Sequence, residues 1–409
     1  MAGVRSLAIA VVGCGTAGPA SALFLARAGH AVMLFERVPD PGPVGAGIVL
    51  QPSGMSVLAR LHLLAPILEK GAPLDELYAE TPKRRRVVHL RYRDLDPALF
   101  GLGLHRGALF QALFSAVKDT HAISLKLGVE AHEVKREGEK IFLEDAKGER
   151  HGPFDLAIVC DGARSHLRDT LMPRRRVTKY PWGALWFVGT SDGAPKRRLY
   201  QVVNGTRRLL GLLSTGRAPG SDAQRVSLFW SVRLDTVDAF HASDFESWKR
   251  EVASYMPEAG AVLSQISTSK DLLISEYHDV RMTRWHGERV VWLGDAAHAT
   301  SPQLGQGCNL ALVDAMTLAD AIAAHEHVDH ALADYSRRRR AHLGYYQFMT
   351  RALTPFFQSD LGWLGPVRNL LFGMACRMPF TGTQMLRGMA GIHRGLSPPM
   401  PLAALPPSP

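Results

Sequence analysis

Short runs of apolar residues recur along the chain, and the first two frame a longer Ala/Leu-rich segment. Leu7–Val12 leads directly into Gly13, and the Ala/Leu-rich segment that follows extends to Gly29. His30–Phe35 is the second apolar run, and Glu36 ends it. Short apolar runs of this kind predict buried strands, and the longer segment between them predicts a helix. The chain therefore begins with a strand–helix–strand unit of the kind that builds parallel sheets.

Two later apolar runs each end in a turn that contains an aspartate. Leu156–Cys160 precedes Asp161-Gly162, and Val290–Leu293 precedes Gly294-Asp295. Each pattern predicts a buried strand that delivers a carboxylate into a loop. A Gly/Pro-rich loop and an Ala/Leu-rich helix, ending near Ile322, follow the second run. This arrangement is typical of a ligand site at the carboxyl end of a parallel sheet.

The segments between these runs predict a second sheet. The strand-like stretches are Ala184–Thr190, Leu199–Val203, Leu209–Leu213 and Val226–Val232. Asn204-Gly205, between the second and the third of them, is a hairpin turn signal. Pro73–Asp96 predicts strands around a basic turn, and Ile123–Phe154 predicts a β-meander. The aromatic residues of the second sheet that are candidate pocket walls are Trp186, Phe187, Tyr200, Phe229 and Trp230.

Helical patterns complete the predicted elements. The segments that predict helices are Ser53–Lys70, His105–Val117, Ala239–Met256, Ala331–Gln347 and parts of Phe356–Gly391. Pro39–Pro52 is predicted to be a loop, and the Pro-rich tail Ser397–Pro409 is predicted to be disordered.

Composition narrows the class of protein. With 409 residues and 46% hydrophobic content, the chain is long enough for two or three globular cores. The four cysteines are far apart and show no metal-ligand spacing, which favours a reduced, cytoplasmic setting without a structural metal. The first apolar run continues into a glycine motif, so we interpret it as a strand and not as a signal peptide. No stretch of transmembrane length lacks charge, proline or glycine.

The formal net charge of +10 comes largely from clusters of basic residues. These are Lys83–Arg86, Arg174–Arg176, Lys196–Arg198 and Arg337–Arg340. No nucleic-acid-binding module or interleaved aromatic platform accompanies them. We interpret the clusters as solvated faces that steer an anionic cofactor or substrate, and we expect no nucleic-acid partner.

The first strand–helix unit carries a dinucleotide-binding pattern. Gly13, Gly15 and Gly18 have the GxGxxG spacing, with Thr16 and Ala17 between the last two. The glycines permit a tight turn and close approach of backbone to a pyrophosphate, which the helix N-terminus attracts. Glu36, at the end of the next strand, is placed to bind ribose hydroxyls.

Three ordered motifs, the GxGxxG pattern with Glu36, an Asp-Gly motif and a Gly-Asp motif, together resemble the class A flavoprotein monooxygenases, the para-hydroxybenzoate hydroxylase-like family. The strongest resemblance is in GDAAHATSPQLGQGCN, which starts at Gly294 and is similar to the family's second flavin-binding motif. The segment from Asp161 to Arg168 resembles its DGxxSxxR motif, Gly45–Ile48 resembles the segment beside the flavin ring, and Arg106 resembles an arginine that reaches the FAD. The cofactor-binding residues that the resemblance implies are Gly13, Gly15, Thr16, Ala17, Gly18, Glu36, Arg37, Gly47, Arg106, Asp161, Gly162, Gly294, Asp295, Pro302, Gly305, Gly307, Cys308 and Asn309.

The resemblance spans nearly the whole chain and implies an α/β fold. It consists of a three-layer FAD-binding (Rossmann-like) domain with an inserted mixed β-sheet substrate domain and a C-terminal helical region. The expected FAD-binding segments are 1–72, 101–178 and 281–345, and the substrate domain takes 73–100 and 179–280. Helices at 346–395 and the tail at 396–409 follow. A single GxGxxG pattern implies that no separate NAD(P)H domain is present.

The implied activity is hydroxylation of an electron-rich aromatic compound with FAD, O2 and NADH or NADPH. In this family the oxygen is delivered by a flavin C4a-hydroperoxide, and the FAD is held non-covalently. A reductase or epoxidase on the same fold, and a non-catalytic FAD-binding protein, are the alternatives. No catalytic side chain and no oligomeric state follow from the pattern. A weak peripheral membrane contact through the apolar C-terminal region is a further alternative to simple helix packing.

Overall fold

The computed structural model describes residues 6–42, 45–171, 174–191, 193–218, 220 and 222–408. The predictions for residues 1–5, for residues 43 and 44 of the predicted loop, and for the last residue of the tail lie outside the described residues. The strands of the first half of the chain are β1 (Ala8–Val12), β2 (Ala31–Glu36), β3 (Gly47–Leu50), β4 (Ala72–Leu74), β5 (Glu76–Glu80), β6 (Arg86–Arg91), β7 (Gly101–His105), β8 (Ile123–Leu127), β9 (Ala131–Glu137), β10 (Lys140–Asp145), β11 (Arg150–Phe154) and β12 (Leu156–Val159). Those of the second half are β13 (Arg175–Thr190), β14 (Arg198–Asn204), β15 (Arg208–Arg217), β16 (Gln224–Arg233), β17 (Leu273–Met282) and β18 (Val290–Trp292).

The helices surround these strands and close the chain. They are α1 (Ala17–Arg27), α2 (Pro52–Arg60), α3 (Leu64–Lys70), α4 (Arg106–Lys118), α5 (His166–Leu171), α6 (Val237–Ala242), α7 (Phe245–Tyr255), α8 (Gly260–Leu263), α9 (Asp295–His298), α10 (Gly307–Ala324), α11 (Val328–Phe357), α12 (Leu364–Ala375) and α13 (Pro379–Met389). By length and composition α10 is apolar enough to cross a membrane. More than half of it is buried within the protein, between α1, α2 and α11, which is the position of a core helix.

A five-stranded parallel sheet in the order β18–β12–β1–β2–β8 forms the centre of the first body. Its strands are buried because both faces are covered, by helices α1 and α10 on one side and by the antiparallel sheet β9–β10–β11 on the other. The ring of Phe35 in β2 meets that of Phe154 in β11 at 6.2 Å, which marks the contact between the two sheets. The result is the predicted three-layer arrangement.

A seven-stranded mixed sheet forms the second body. Its order is β17–β13–β16–β15–β14–β5–β6, and β14 pairs with β5 in parallel while the other pairs are antiparallel. The strands predicted in the Pro73–Asp96 segment therefore join the later sheet. Helices α6, α7 and α8 cover one face of this sheet in a separate apolar core.

Several local predictions differ from the structure. The predicted loop Pro39–Pro52 contains strand β3, which pairs with β7. The predicted helix Ser53–Lys70 divides into α2 and α3, because His62 adopts a left-handed φ of 52° between them. The predicted helix Ala239–Met256 divides into α6 and α7. The side chain of Asp244 accepts the Glu246 N–H and starts α7, so the local cap overrides continuous helical periodicity.

The C-terminal region is more ordered than predicted. Helix α11 extends ten residues past the predicted end at Gln347 and reaches Phe357. The tail contains no helix or strand among its described residues, but it packs against the rest of the protein. The Ala403 N–H donates to the Ser56 hydroxyl at 2.7 Å, and Met400 and Leu405 pack on the main core.

Candidate cofactor and substrate site

The predicted motif residues meet at one edge of the parallel sheet. Strands β1, β12 and β18 are neighbours and run in the same direction, so the loops that follow them lie side by side. Gly13 follows β1, Asp161 follows β12 and Asp295 follows β18, while Glu36 closes the adjacent β2. The carboxyl edge of a parallel sheet is where ligands bind in this architecture.

The glycines of this edge fall into two groups. A Cβ at Gly13 would lie 2.5 Å from the Cys160 carbonyl oxygen, and one at Gly18 would lie 1.9 Å from that of Gly13. These two glycines are therefore required by the packing of the protein itself. A Cβ at Gly15, Gly162 or Gly305 would meet nothing within 4 Å. This open space above the loop at the start of α1 fits a ligand that approaches the backbone closely.

Glu36 is fixed beside the glycine loop. One carboxylate oxygen accepts the Cys14 N–H at 2.8 Å, and the other accepts the Val38 N–H at 3.0 Å. Each oxygen keeps a second lone pair that can accept a ribose hydroxyl. Arg37 is exposed in the turn that follows.

Asp295 presents an unengaged carboxylate to the same edge. The residue is exposed, and its side chain makes no hydrogen bond or ion pair among the described residues. A Cβ at Gly307 would lie 3.9 Å from its Oδ1 atom, so the carboxylate stands beside the N-terminus of α10. A hydroxyl-bearing chain can donate to Asp295 while the helix N-terminus attracts negative charge.

The Asp161 loop contributes a buried polar atom with no partner. Oδ1 of Asp161 is buried and has no hydrogen-bond partner within the described part of the chain. Burial raises the pKa of this carboxyl group, although the Ser165 hydroxyl and the Arg168 charge oppose the shift. Arg168 is itself fully buried and donates to the carbonyl oxygens of Ala163 and Ala296 at 3.0 and 3.1 Å. It ties the two aspartate loops together, whereas Arg164 is exposed.

The segment predicted to lie beside the flavin ring joins the two bodies. The Gly47 N–H donates to the Ser227 hydroxyl at 3.0 Å, and a Cβ at Gly47 would lie 2.4 Å from the Thr215 methyl group. Gly45 has a φ of +118° and packs against the side chain of Arg106. The positive charge of Arg106 opposes the rise that burial produces in the pKa of the Cys308 thiol.

The loop between α9 and α10 is firmly attached. Ser301 shares a hydrogen bond with Thr354 at 2.7 Å, and Gln303 donates to Gln358 at 2.7 Å. Pro302 is exposed on this loop, and Gly305 takes the left-handed conformation at a φ of 61°.

Two predicted residues of α10 place their side chains away from the open edge. Asn309 is fully buried, accepts the Gln51 N–H at 2.9 Å and donates to the Val49 carbonyl oxygen at 3.1 Å. Cys308 is partly buried, its Sγ atom lies 3.9 Å from that same oxygen, and burial raises its pKa to about 12. The backbone N–H groups of both residues belong to the first turn of α10.

A buried network of hydrogen bonds lies behind Gly294, and the sequence patterns did not predict it. Asp314 is completely buried and accepts three hydrogen bonds, from the Gly294 N–H at 2.9 Å, from His298 at 2.6 Å and from Arg339 at 2.7 Å. Burial opposes ionisation of Asp314, yet His298 and Arg339 hold its pKa below the usual range. The sequence predicts that Arg337–Arg340 form a solvated basic cluster. That prediction is wrong for Arg339, which is only 2% exposed. Asp314 is one of only two acidic residues in the Ala/Leu-rich helix α10, and this was the available signal.

One group of carboxylates and histidine has potential metal-ligand spacing. The ligand atoms of Asp145, Glu149 and His151 lie within 4.8 Å of one another. Asp145 already accepts the N–H groups of Lys147 and Glu149, both at 2.9 Å. We interpret this group as the brace of the turn between β10 and β11.

The Gly45–Gly47 segment meets the side of the large sheet that α6, α7 and α8 do not cover. Because side chains alternate along a strand, Trp186 and Phe229 point to the side of Ser227, and their rings lie 5.0 Å apart. Burial raises the pKa of Tyr277, and the neighbouring Trp186 indole opposes that shift. The other candidate walls, which belong to the helix-covered core, are Phe187, Tyr200 and Trp230.

Known proteins match this chain along most of its length. The FAD binding domain family matches residues 6–345. A kynurenine 3-monooxygenase of Salinispora arenicola is 30% identical over 364 residues, which cover 82% of this chain and 76% of the relative. A probable 2-heptyl-3-hydroxy-4(1H)-quinolone synthase of Rhodococcus erythropolis is 28% identical, with 81% and 83% covered. The chain belongs to the class A flavoprotein monooxygenases.

Solved structures of this monooxygenase family share the fold. The structure of PqsL, a probable FAD-dependent monooxygenase from Pseudomonas aeruginosa, superimposes with a TM-score of 0.77. The alignment covers 90% of this monooxygenase and 100% of PqsL at 21% identity. Its family membership makes the protein an oxidoreductase that uses FAD as cofactor and NAD(P)H as co-substrate.

The described residues fit FAD. The space above Gly15 suits a phosphate-bearing group, and the carboxylates of Glu36 and Asp295 suit two sets of hydroxyls. Asp161, whose buried Oδ1 atom has no partner among the described residues, follows β12 at the same sheet edge. The sequence, the fold and the chemistry of the site therefore all agree with a flavin monooxygenase that hydroxylates aromatic compounds.

Proposed function

We propose that this monooxygenase hydroxylates an aromatic compound that carries an acidic group and binds beside the Gly45–Gly47 segment, against the face of the large sheet that α6, α7 and α8 do not cover. The observation that carries the proposal is the direct contact of Gly47 with Ser227 and Thr215. This contact brings the segment expected beside the flavin ring onto the sheet face that carries Trp186 and Phe229. Aromatic walls of this kind hold a planar ring by dispersion and edge or face contacts.

A cation at the end of this face supports the acidic character of the substrate. Arg225 lies two residues before Ser227 on β16 and therefore points to the same side. Burial and the charge of Arg225 together lower the pKa of His105, so this imidazole is neutral near pH 7. Nδ1 of His105 accepts the Gly107 N–H at 3.1 Å, which leaves Nε2–H as a donor. His105 Nε2–H offers a hydrogen bond to a carboxylate or an acidic hydroxyl, and the positive charge of Arg225 favours an anionic group on this face.

The proposed cofactor contacts follow the geometry of the sheet edge. The first turn of α1 would hold the pyrophosphate, Glu36 a ribose, and Asp295 the ribityl hydroxyls. The N-terminus of α10, with Gly305 and Gly307, would stabilise negative charge on the flavin side of the site. When bound, FAD supplies the chemistry, taking hydride from NAD(P)H and passing one oxygen atom of O2 to the substrate. The sheet face and the 299–305 loop exclude water from this region.

The domain division, the cellular setting and the non-covalent binding of FAD are part of the proposal. Sheet membership supports segments 1–72, 101–178 and 281–345 as FAD-binding and 73–100 with 179–280 as substrate-binding. The four cysteines are free, which supports a reduced, cytoplasmic setting. Binding of FAD through backbone and carboxylate groups supports a non-covalent cofactor.

The test is a screen of aromatic acids, quinolones and phenols for stimulation of NAD(P)H oxidation, with oxygen uptake and product measured together. The structure favours acidic compounds, so Arg225→Met should raise the KM for the active acid at least tenfold, a loss of roughly 1.4 kcal/mol. Arg250→Met removes an exposed arginine of α7 and is the matched control. Stimulation by neutral compounds alone, or an unchanged KM in Arg225→Met, would contradict the acidic substrate.

A further inference from the structure

The C-terminal helices expose an unusual concentration of apolar side chains. Among the described residues, seven of the fourteen exposed large apolar side chains lie between positions 361 and 380. We call this surface the C-terminal apolar face, and its members are Leu361, Trp363, Leu370, Leu371, Met374, Met378 and Phe380. Their exposed fractions run from 48% at Leu361 to 74% at Phe380. Together these side chains expose on the order of 700 Å² of mostly apolar surface within 20 residues of sequence.

The exposure results from the way α12 is fixed and not from loose packing. Arg368 is 1% exposed and donates to the carbonyl oxygens of Gly205 and Phe356 at 2.7 and 2.8 Å. A Cβ at Gly365 would lie 3.2 Å from Gly205, so the helix approaches the sheet closely there. The polar anchor of α12 is thus on its inner side, and its outer side is apolar. A surface helix of a globular domain normally has the opposite arrangement.

Basic side chains border this face. The turn between β5 and β6 carries Lys83 and Arg85, which line one surface depression together with Asn369 of α12. A Cβ at Gly373 would lie 3.9 Å from the Arg86 carbonyl oxygen, so α12 rests directly on this turn. Lys83, Arg85, Arg86 and Arg377 are exposed and make no ion pair in the described ranges.

Carboxylates are missing from the same part of the sequence. Residues 361–409 contain no aspartate or glutamate, whereas arginine occurs four times. The net charge of this segment is therefore +4, on a chain whose total is +10. A surface that combines apolar side chains, a tryptophan and unpaired cations is complementary to an apolar layer edged with negative charge.

We propose that the C-terminal apolar face attaches the protein to an anionic lipid bilayer, with α12 lying in the plane of the interface. Leu370, Met374 and Phe380 enter the acyl boundary, and Trp363 lies at the level of the headgroups. Lys83, Arg85 and Arg377 bind the phosphates. A second copy of the chain is a poorer occupant, because a two-fold contact through this face would bring like charges together without carboxylates to offset them.

The experiment is flotation of the full-length holoenzyme with vesicles of phosphatidylcholine alone or mixed with phosphatidylglycerol. We expect binding to the mixed vesicles that weakens as salt increases. Leu370→Ser/Met374→Ser/Phe380→Ser should reduce the partition coefficient roughly tenfold or more. Lys83→Ser/Arg85→Ser/Arg377→Ser should reduce it by about fivefold for each cation removed.

Matched variants control for composition. Lys147→Ser/Lys196→Ser/Lys270→Ser makes the same charge change at exposed lysines elsewhere, and Val177→Ser/Ile274→Ser removes exposed apolar groups from the large sheet. Both should bind vesicles as the wild type does, and every variant should keep its flavin content and unfolding midpoint. Three results would overturn the proposal. They are no binding to mixed vesicles, equal binding to neutral and mixed vesicles, and a dimer that the apolar triple variant dissociates while vesicle binding is absent.

Discussion

Gly15 offers the sharpest test of where FAD binds. Its Cβ position is empty for 4 Å in every direction, and its φ is not positive, so alanine can adopt this backbone conformation without a clash. If FAD occupies the space above the loop, Gly15→Ala places a methyl group against the pyrophosphate. Overpacking of that kind costs about 1–3 kcal/mol. The expected weakening of FAD binding is therefore roughly 5- to 150-fold.

The stability of the flavin-free protein should respond differently. Replacing a glycine of compatible conformation by alanine leaves the free energy of unfolding unchanged or raises it by up to about 1 kcal/mol. Gly18→Ala is the matched control, because its Cβ would lie 1.9 Å from the Gly13 carbonyl oxygen whether or not a ligand is present. It should destabilise the flavin-free protein by about 1–3 kcal/mol or more.

Two measurements separate these effects. Flavin fluorescence during dilution of the holoenzyme gives the dissociation constant of FAD, and urea unfolding of the flavin-free protein gives its stability. Gly15→Ala should change only the first, and Gly18→Ala should change the second. Wild-type FAD affinity in Gly15→Ala would refute our placement of the cofactor. A loss of flavin-free stability equal to that of Gly18→Ala would refute the interpretation of the open space.

Three further predictions follow from the same site. Asp295→Ala should weaken FAD binding by roughly 1.5–3 kcal/mol in the fluorescence assay through the loss of a charge-assisted hydrogen bond, with Asp235→Ala as an exposed control. Asp314→Asn should lower the free energy of unfolding by about 3–5 kcal/mol, since Arg339 would remain buried without its counter-charge. The pKa of Asp314 is lower in the folded than in the unfolded protein, so its contribution to stability is complete above the usual carboxyl pKa of roughly 3.9. This contribution is lost as the pH falls through the folded pKa. The free energies of unfolding in urea of the wild type and of Asp314→Asn should therefore converge only in strong acid. Flavin reduction by NAD(P)H should accelerate tenfold or more when the true substrate is bound, which lowers the barrier by roughly 1.4 kcal/mol. Stopped-flow absorbance measures this rate, and an unchanged rate with a substrate that the enzyme converts would rule out substrate control of reduction.

Local pattern alone was enough to predict the parallel sheet and its ligand edge. The apolar runs at Leu7–Val12, Leu156–Cys160 and Val290–Leu293 became β1, β12 and β18 within one or two residues. Once these are parallel neighbours, Asp161 and Asp295 must lie at one edge, whatever the rest of the chain does. Such inferences succeed because strand periodicity and glycine spacing are properties of a few consecutive residues.

The burial of particular side chains was decided only by tertiary contacts. Arg337–Arg340 reads as a uniform basic run, but α11 turns one of the four, Arg339, towards Asp314 of α10 and leaves the others exposed. Asn309 lies in a flavin-binding motif, yet its side chain bonds to the Val49–Gln51 backbone. No local pattern encodes which helix face meets which neighbour.

The sheet aromatics show the same limit most clearly. Alternation along β13 and β16 determines that Trp186 and Phe229 point to one side and Phe187 and Trp230 to the other. The sequence by itself does not determine which side α7 covers and which side the Gly45–Gly47 segment meets. That choice depends on how two distant parts of the chain bury their apolar surfaces against each other, because the free energy of burial is a property of the assembled faces and not of either strand alone.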